Sequence, residues 1–217
     1  ITFCQNNLNF TKTHPNKQNF SFIEGDIQNL NDCTLAVKDV DYVLHQAALG
    51  SVPRSMDDPL GSHAANVNGF LNILVAARDA RIKRIVYASS SSVYGVKEEP
   101  NVHEEMTLEP LTDYSRFKAD CEKILAEYQA EDFTTVTIRP ATVCGYSPRQ
   151  RLDVVVNILT NLAYHKREIT VFGGSQLRPN IHIADMVKAY VTLLKAPKEK
   201  IAGQIFNAGY ENQSVTE

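Results

Sequence analysis

Hydrophobic and polar positions alternate in two rhythms along this chain. "NFSFIEGDI" (19–27) mixes aromatic and β-branched residues with polar ones and breaks at Gly25-Asp26, which predicts a strand and a turn. "LNDCTLAVKDV" (30–40) has helical spacing at Leu30, Cys33, Leu35 and Ala36. "DYVLHQAA" (41–48) reads as a short buried strand. "SHAANVNGFLNILVAARDA" (62–80) returns to a helical period, with Val67, Phe70, Leu71, Leu74, Val75 and Ala77 on one broad face. "RIVYASS" (84–90) is the next strand. "DYSRFKADCEKILAEYQAE" (113–131) is a helix with Tyr114, Phe117, Cys121, Leu125 and Tyr128 in step, and "FTTVTIRPATV" (133–143) is again β-branched.

Strands alternating with helices predict an α/β fold in which a parallel sheet is covered by helices on both faces. Ligands of such sheets bind beyond the carboxyl ends of the strands. The predicted exits are small or polar: Gly25-Asp26, Gln46-Ala47-Ala48, Ser89 to Ser92, and Pro140-Ala141-Thr142. They are expected to line one crevice. The pattern changes after Gly145 to one helix, a short strand, a Gly-Gly turn and an arginine loop. We therefore expect residues 1–145 to form one domain and 146–217 part of a smaller, substrate-facing lobe.

Composition narrows the function classes. The net charge of -3 provides no basic field for a nucleic acid. Cys4, Cys33, Cys121 and Cys144 are scattered, as expected of free thiols in a reducing cytoplasm. The six histidines form no paired ligand motif, so no metal is expected. The chain lacks both the ~18-residue apolar run of a membrane helix and a signal-peptide pattern. It begins without a methionine, which suggests a start partway into a fold.

The candidate chemistry centres on "YASSSSVYG" (87–95) and "YSRFK" (114–118). Four serines at a strand end make either a Ser-rich loop or a row of hydroxyls held near a reacting oxygen. Tyr114 and Lys118 at i and i+4 share a helix face. A lysine ammonium beside a phenol favours the phenolate, so the tyrosine can exchange a proton with a substrate hydroxyl near neutral pH. A half-buried helix face with a snorkelling lysine has the same spacing. The serine-ended strand, the intervening loop and Y-x-x-x-K on a helix together make a much rarer arrangement.

These two motifs resemble the extended short-chain dehydrogenase/reductase family, whose members include sugar-nucleotide epimerases and dehydratases. "VLHQAALGSVPRSMDDP" and "NVNGFLNILVAARDA" are similar to the UDP-N-acetylglucosamine 4-epimerases of that family. The resemblance implies a Rossmann-like sheet, NAD as cofactor, a UDP-sugar substrate and a homodimer built through the 66–80 and 113–131 helices. It implies catalytic roles for Ser90, Tyr114 and Lys118, with Tyr114 and Lys118 also meeting the nicotinamide end. Cofactor contacts fall on Asp26 and Ile27 (adenine), Gln46, Ala47 and Ala48, and Pro140. Close packing of helix on strand explains Ala47 and Ala48 equally. Substrate contacts fall on Ser51, Arg54, Ser91, Ser92, Thr142 and Arg178. A charged loop tip explains Arg54, and a solvated surface arginine explains Arg178. Asn66 would lie beneath the serine or cap the helix it opens; His45 reads as a satisfied strand-end histidine.

The resemblance has gaps. None of the ten glycines forms the G-x-x-G-x-x-G turn that cradles a pyrophosphate, and the first βαβ unit has no counterpart. The chain as it stands is expected to bind NAD poorly. Related dehydratases carry Asp and Glu where Ser91 and Ser92 stand, which favours 4-epimerisation without loss of water. Where many relatives place Asn, three residues after Arg139, this chain has Thr142. The expected activity is NAD-dependent 4-epimerisation of UDP-N-acetylglucosamine/galactosamine or the uronic acid forms. A reductase or dehydratase on the same scaffold, or a non-catalytic nucleotide-sugar-binding fragment, are the alternatives.

Overall fold

The computed structural model describes residues 9, 11–50, 52–99, 101–148 and 150–216. Four strands, β1 (Tyr42–His45), β2 (Arg84–Ala88), β3 (Thr134–Pro140) and β6 (Ile205–Ala208), form a sheet in the order β1-β2-β3-β6. All three ladders are parallel, and each joins strands separated by helical crossovers. β2 and the β3 residues Thr134–Arg139 are buried, as expected of strands covered on both faces.

Helix α1 (Leu30–Ala36) is capped by Asn29, whose side chain accepts from the Asn31 N–H at 2.9 Å. Two short helices follow β1: α2 (Val52–Asp57) and α3 (Pro59–His63), the latter capped by Asp58. A π-helical turn at Ala64–Asn68 then runs into α4 (Gly69–Asp79). The buried face of α4 differs from the expected one. Phe70, Ile73, Leu74, Ala76 and Ala77 are buried, whereas Leu71 is half exposed. They pack with Cys33, Ile82, Ile85, Tyr87, Cys121, Leu125 and Phe133 in one core. Cys121 and Leu125 come from α5 (Asp113–Glu127), which starts with a reciprocal cap between Thr112 and Ser115.

The remaining elements are β4 (Thr142–Cys144), α6 (Val155–Lys166), β5 (Leu177–His182), α7 (Ile183–Lys195), α8 (Lys198–Ile201) and β7 (Glu211–Ser214). β4, β5 and β7 make a second, mixed sheet, with β5 parallel to β4 and antiparallel to β7.

Two sequence expectations change. Residues 20–26 form no ladder: Phe20, Phe22 and Ile23 are about half exposed, and the segment has no partner strand among the described residues. The short strand expected before the Gly-Gly turn lies instead at Leu177–His182, in place of the expected arginine loop, because that segment pairs on both sides.

The division expected at 145/146 also falls differently. One compact unit comprises Gly25–Ala141 and Met186–Ala208; the other comprises Thr142–Asp185, Gly209–Glu217 and the described residues up to Glu24. The cause is β6, which returns to pair with β3 through Thr137↔Ile205 to Pro140↔Ala208.

Candidate active site

The parallel register places three strand exits on one edge of the larger sheet. His45 pairs with Tyr87 and Ala88 with Ile138, so residues 46–48, 89–92 and 140–141 leave the sheet at the same end. The Ser89 N–H extends the ladder by one bond, to the Ile138 carbonyl at 2.8 Å. Gly25-Asp26 is not a strand exit. It reaches the sheet through α4: the Asn72 amide donates to the carbonyls of Ile27 and Gln28 at 3.0 and 2.9 Å. A Cβ on Gly69 would stand 2.8 Å from the end of the Ile27 side chain, so glycine lets the two segments approach closely without a shift of that side chain.

The four serines have distinct environments. Ser89 is buried and its hydroxyl donates to the Glu122 carboxylate. Ser90 is extended (φ -161°, ψ 145°) and caps a 3-10 turn at Ser91–Tyr94. Its Oγ lies 3.2 Å from the Ser92 N–H and 2.9 Å from the Ser92 hydroxyl. Ser91 is half-buried and Ser92 exposed. Gly95 ends the turn at φ 73°, where a Cβ would stand 2.1 Å from the Glu109 carbonyl oxygen.

Helix α5 packs against this turn, against the 64–68 segment and against β3. Tyr114, Lys118 and Glu122 occupy one stripe of it at i, i+4 and i+8. The Lys118 amine, 4 % exposed, donates to the Ala88 carbonyl at 2.6 Å. It lies 4.8 Å from the Tyr87 ring centre and 5.9 Å from that of Tyr114. Burial lowers its pKa to about 8, while Cys121 and Glu122 pull it upward. Lys118 therefore remains cationic at neutral pH. His45 is buried against Phe70 and Tyr87; that burial, aided by the Lys118 charge, lowers its pKa to about 3 and keeps it neutral.

The structure thus joins Lys118 to the end of β2 and to the Tyr114 ring, with Ser90 two residues beyond Ala88. Gln46 and Ala47 are exposed and Ala48 is half-buried on the same sheet edge; Pro140 closes β3 opposite Ala208. Arg54 is exposed on α2, which packs beside α5. Thr142 and Arg178 belong to the other unit, on adjacent strands of the small sheet. Ser51 lies outside the described residues. Asn66 caps no helix. Its side chain clamps Leu49, accepting from the N–H at 2.7 Å and donating to the carbonyl at 3.3 Å, so it shapes the exit of β1.

The sequence reading missed the residues beneath the serines. Arg139 and Glu122 form a buried bidentate pair, with contacts of 3.0 Å and 2.7 Å. Arg139 also donates to the Tyr94 hydroxyl at 2.7 Å, and that hydroxyl donates to Asn207 at 2.7 Å. Only the placement of Glu122 one turn beyond Lys118 hinted at it.

The Asn72-held loop at Asp26-Ile27 and the small residues at 47 and 48 suit the close approach of a dinucleotide. The Lys118 cation suits its ribose hydroxyls. These residues fit the two ends of NAD, but the sequence has no glycine turn for its pyrophosphate.

Residues 4–209 match the profile of the NAD dependent epimerase/dehydratase family. The chain is 28 % identical over 218 residues to the UDP-glucose 4-epimerase of Lactobacillus helveticus, covering 90 % of this chain and 66 % of that protein. It is 31 % identical over 213 residues to human dTDP-D-glucose 4,6-dehydratase, covering 96 % and 59 %. The structure of UDP-glucuronic acid 4-epimerase from Bacillus cereus in complex with UDP-glucuronic acid and NAD superposes with a TM-score of 0.85, at 29 % identity, covering 99 % of this chain and 67 % of that one. The chain thus spans 59–66 % of the length of these two curated relatives. The profile match places this chain, with its parallel sheet, in the NAD-dependent epimerase/dehydratase family.

Proposed function

We propose that the protein bearing this chain is an NAD-dependent sugar-nucleotide 4-epimerase, acting on UDP-N-acetylglucosamine/galactosamine or the corresponding uronic acids. The observation that carries this reading is the buried Lys118 ammonium, which touches the end of the serine-bearing strand and faces the Tyr114 ring. Tyr114 accepts the proton of the sugar 4-hydroxyl, and Ser90 holds that oxygen by a hydrogen bond. Lys118 stabilises the phenolate and holds the ribose of the nucleotide. NAD, when bound, supplies the hydride acceptor for C4. Return of the hydride to the opposite face inverts the centre, with no net redox change. Asp26, Ile27, Gln46, Ala47, Ala48 and Pro140 serve the cofactor; Ser51, Arg54, Ser91, Ser92, Thr142 and Arg178 serve the sugar nucleotide. The working form is a homodimer in the cytoplasm; light scattering tests the dimer.

A 4,6-dehydratase is the second reading, favoured by the 31 % identity to the human dehydratase. Ser91 and Ser92 argue against it, since two hydroxyls replace the acid and base that expel water. The test is incubation of the full-length protein with NAD and each UDP-sugar, with products read by NMR. Inversion at C4 that is abolished in Tyr114→Phe supports epimerisation. Loss of water, net NADH formation or an active Tyr114→Phe enzyme overturns it. Titration of NAD against the chain itself separates a catalytic piece from a binding remnant.

A further inference from the structure

We propose that the buried Glu122–Arg139 pair is a positioning device that sets the catalytic serine against Tyr114 and Lys118; the proposal rests on the epimerase reading. The serine run is anchored at both ends to this one pair. Upstream, the Ser89 hydroxyl donates to Glu122. Downstream, the Tyr94 hydroxyl accepts from Arg139 Nη1 at 2.7 Å. Ser90 to Ser92 span the interval between these anchors. Arg139 and Glu122 are 3 % and 6 % exposed, so neither charge is shared with bulk water. Glu122 also lies on the Tyr114–Lys118 stripe of α5, so the carboxylate that holds the strand end belongs to the helix that carries the phenol. The lattice continues to β6: Asn207 accepts from Tyr94 at 2.7 Å, and its N–H donates to the Glu104 carboxylate at 2.6 Å.

A buried ion pair is a poor source of stability compared with well-packed apolar side chains of similar volume. What it provides here is direction. The bidentate contact fixes Arg139 in one plane, which in turn aims its third nitrogen at Tyr94. Ser90 is itself held by a single 3-10 turn, so its placement depends on these anchors.

Ser89→Ala and Tyr94→Phe each remove one hydroxyl and one anchor. In the full-length enzyme each is expected to lower kcat at least about 10-fold with KM nearly unchanged, as for a displaced catalytic group. Combined with Ser90→Ala, neither should lower kcat further, because both act through Ser90. In the chain alone, amide hydrogen exchange across 89–95 should accelerate in both variants, while that of β3 stays unchanged. Wild-type kcat in both variants, full additivity with Ser90→Ala, or unchanged exchange at 89–95 overturns the positioning role. If Ser90→Ala itself leaves kcat unaltered, the catalytic role of Ser90 fails instead, and the exchange result alone decides the anchoring; absence of C4 inversion in the parent enzyme is what overturns the epimerase reading. The swap Glu122→Leu with Arg139→Met gives a second check: a folded variant that keeps wild-type kcat also overturns the proposal.

Discussion

Arg84 ties the sheet to the last turn of α7, and its removal has a calculable cost. It is 7 % exposed and has no carboxylate partner among the described residues. Instead its guanidinium donates to the carbonyls of Leu193 (2.6 Å), Leu194 (2.7 Å) and Ala196 (2.9 Å). These are the unpaired acceptors of a helix end, where the macrodipole concentrates negative potential. A hydrogen bond from a charged donor contributes about 1.5–3 kcal/mol, so three would suggest a large sum. Against this stands the burial of the cation, whose Nε finds no acceptor. Arg84→Leu recovers that desolvation but leaves three carbonyls unpaired, for a net loss of about 3 kcal/mol. With an m-value of about 2 kcal/mol/M in urea, the midpoint should fall by about 1.5 M. Arg84→Lys keeps the charge without the fork and should lose roughly half as much. Arg116→Leu serves as the control, since its contact with Asp113 is exposed and should matter by less than about 0.5 kcal/mol. Equal urea midpoints for Arg84→Leu and Arg116→Leu would refute the reasoning.

Three further outcomes follow from the structure. Gly95→Ala combines a φ of 73° with a Cβ 2.1 Å from a backbone oxygen, so it should cost at least about 2 kcal/mol in chemical denaturation, whereas Gly50→Ala, with open space around it, should cost far less. Lys118 has a folded pKa near 8 against an ordinary 10.5, so the unfolded chain holds more protons between these values and stability contributed by this group rises with pH across that window. Lys118→Met should therefore be most favourable relative to the parent below pH 8 and lose that advantage towards pH 10; a pH-independent difference in thermal midpoint contradicts this. His45, lowered to about 3 from 6.5, stays neutral in the fold, so its contribution is complete above 6.5 and is lost as pH falls towards 3. Among the six histidines, its ring resonance should not move between pH 8 and 5, and a normal titration would disprove its burial.

Most of the larger sheet was legible because β2 carries the apolar run 85–88, β3 the β-branched run 134–138, and α5 keeps its period for 15 residues. The Tyr114–Lys118 pairing was legible because i, i+4 spacing is a local property. Glu122 and Arg139 were not, because 17 residues separate them and a buried ion pair has no local signature. A charged residue on a helix is assigned by default to solvent, and Lys118 and Glu122 both reverse that rule. Phe20 to Ile23 misled for a related reason: alternation shows only that a segment suits a strand, whereas a strand also needs a neighbour. The π turn at 64–68 left no sign in composition.

Because β6 comes back to the first sheet, the backbone passes between the two compact units four times, at 24/25, 141/142, 185/186 and 208/209. A single nick at any one junction therefore leaves the halves tethered by the other three. Neither unit can be expressed as one uninterrupted stretch of polypeptide. Removing the tail from Met186 onward would expose a flank of β3 rather than trim a lobe.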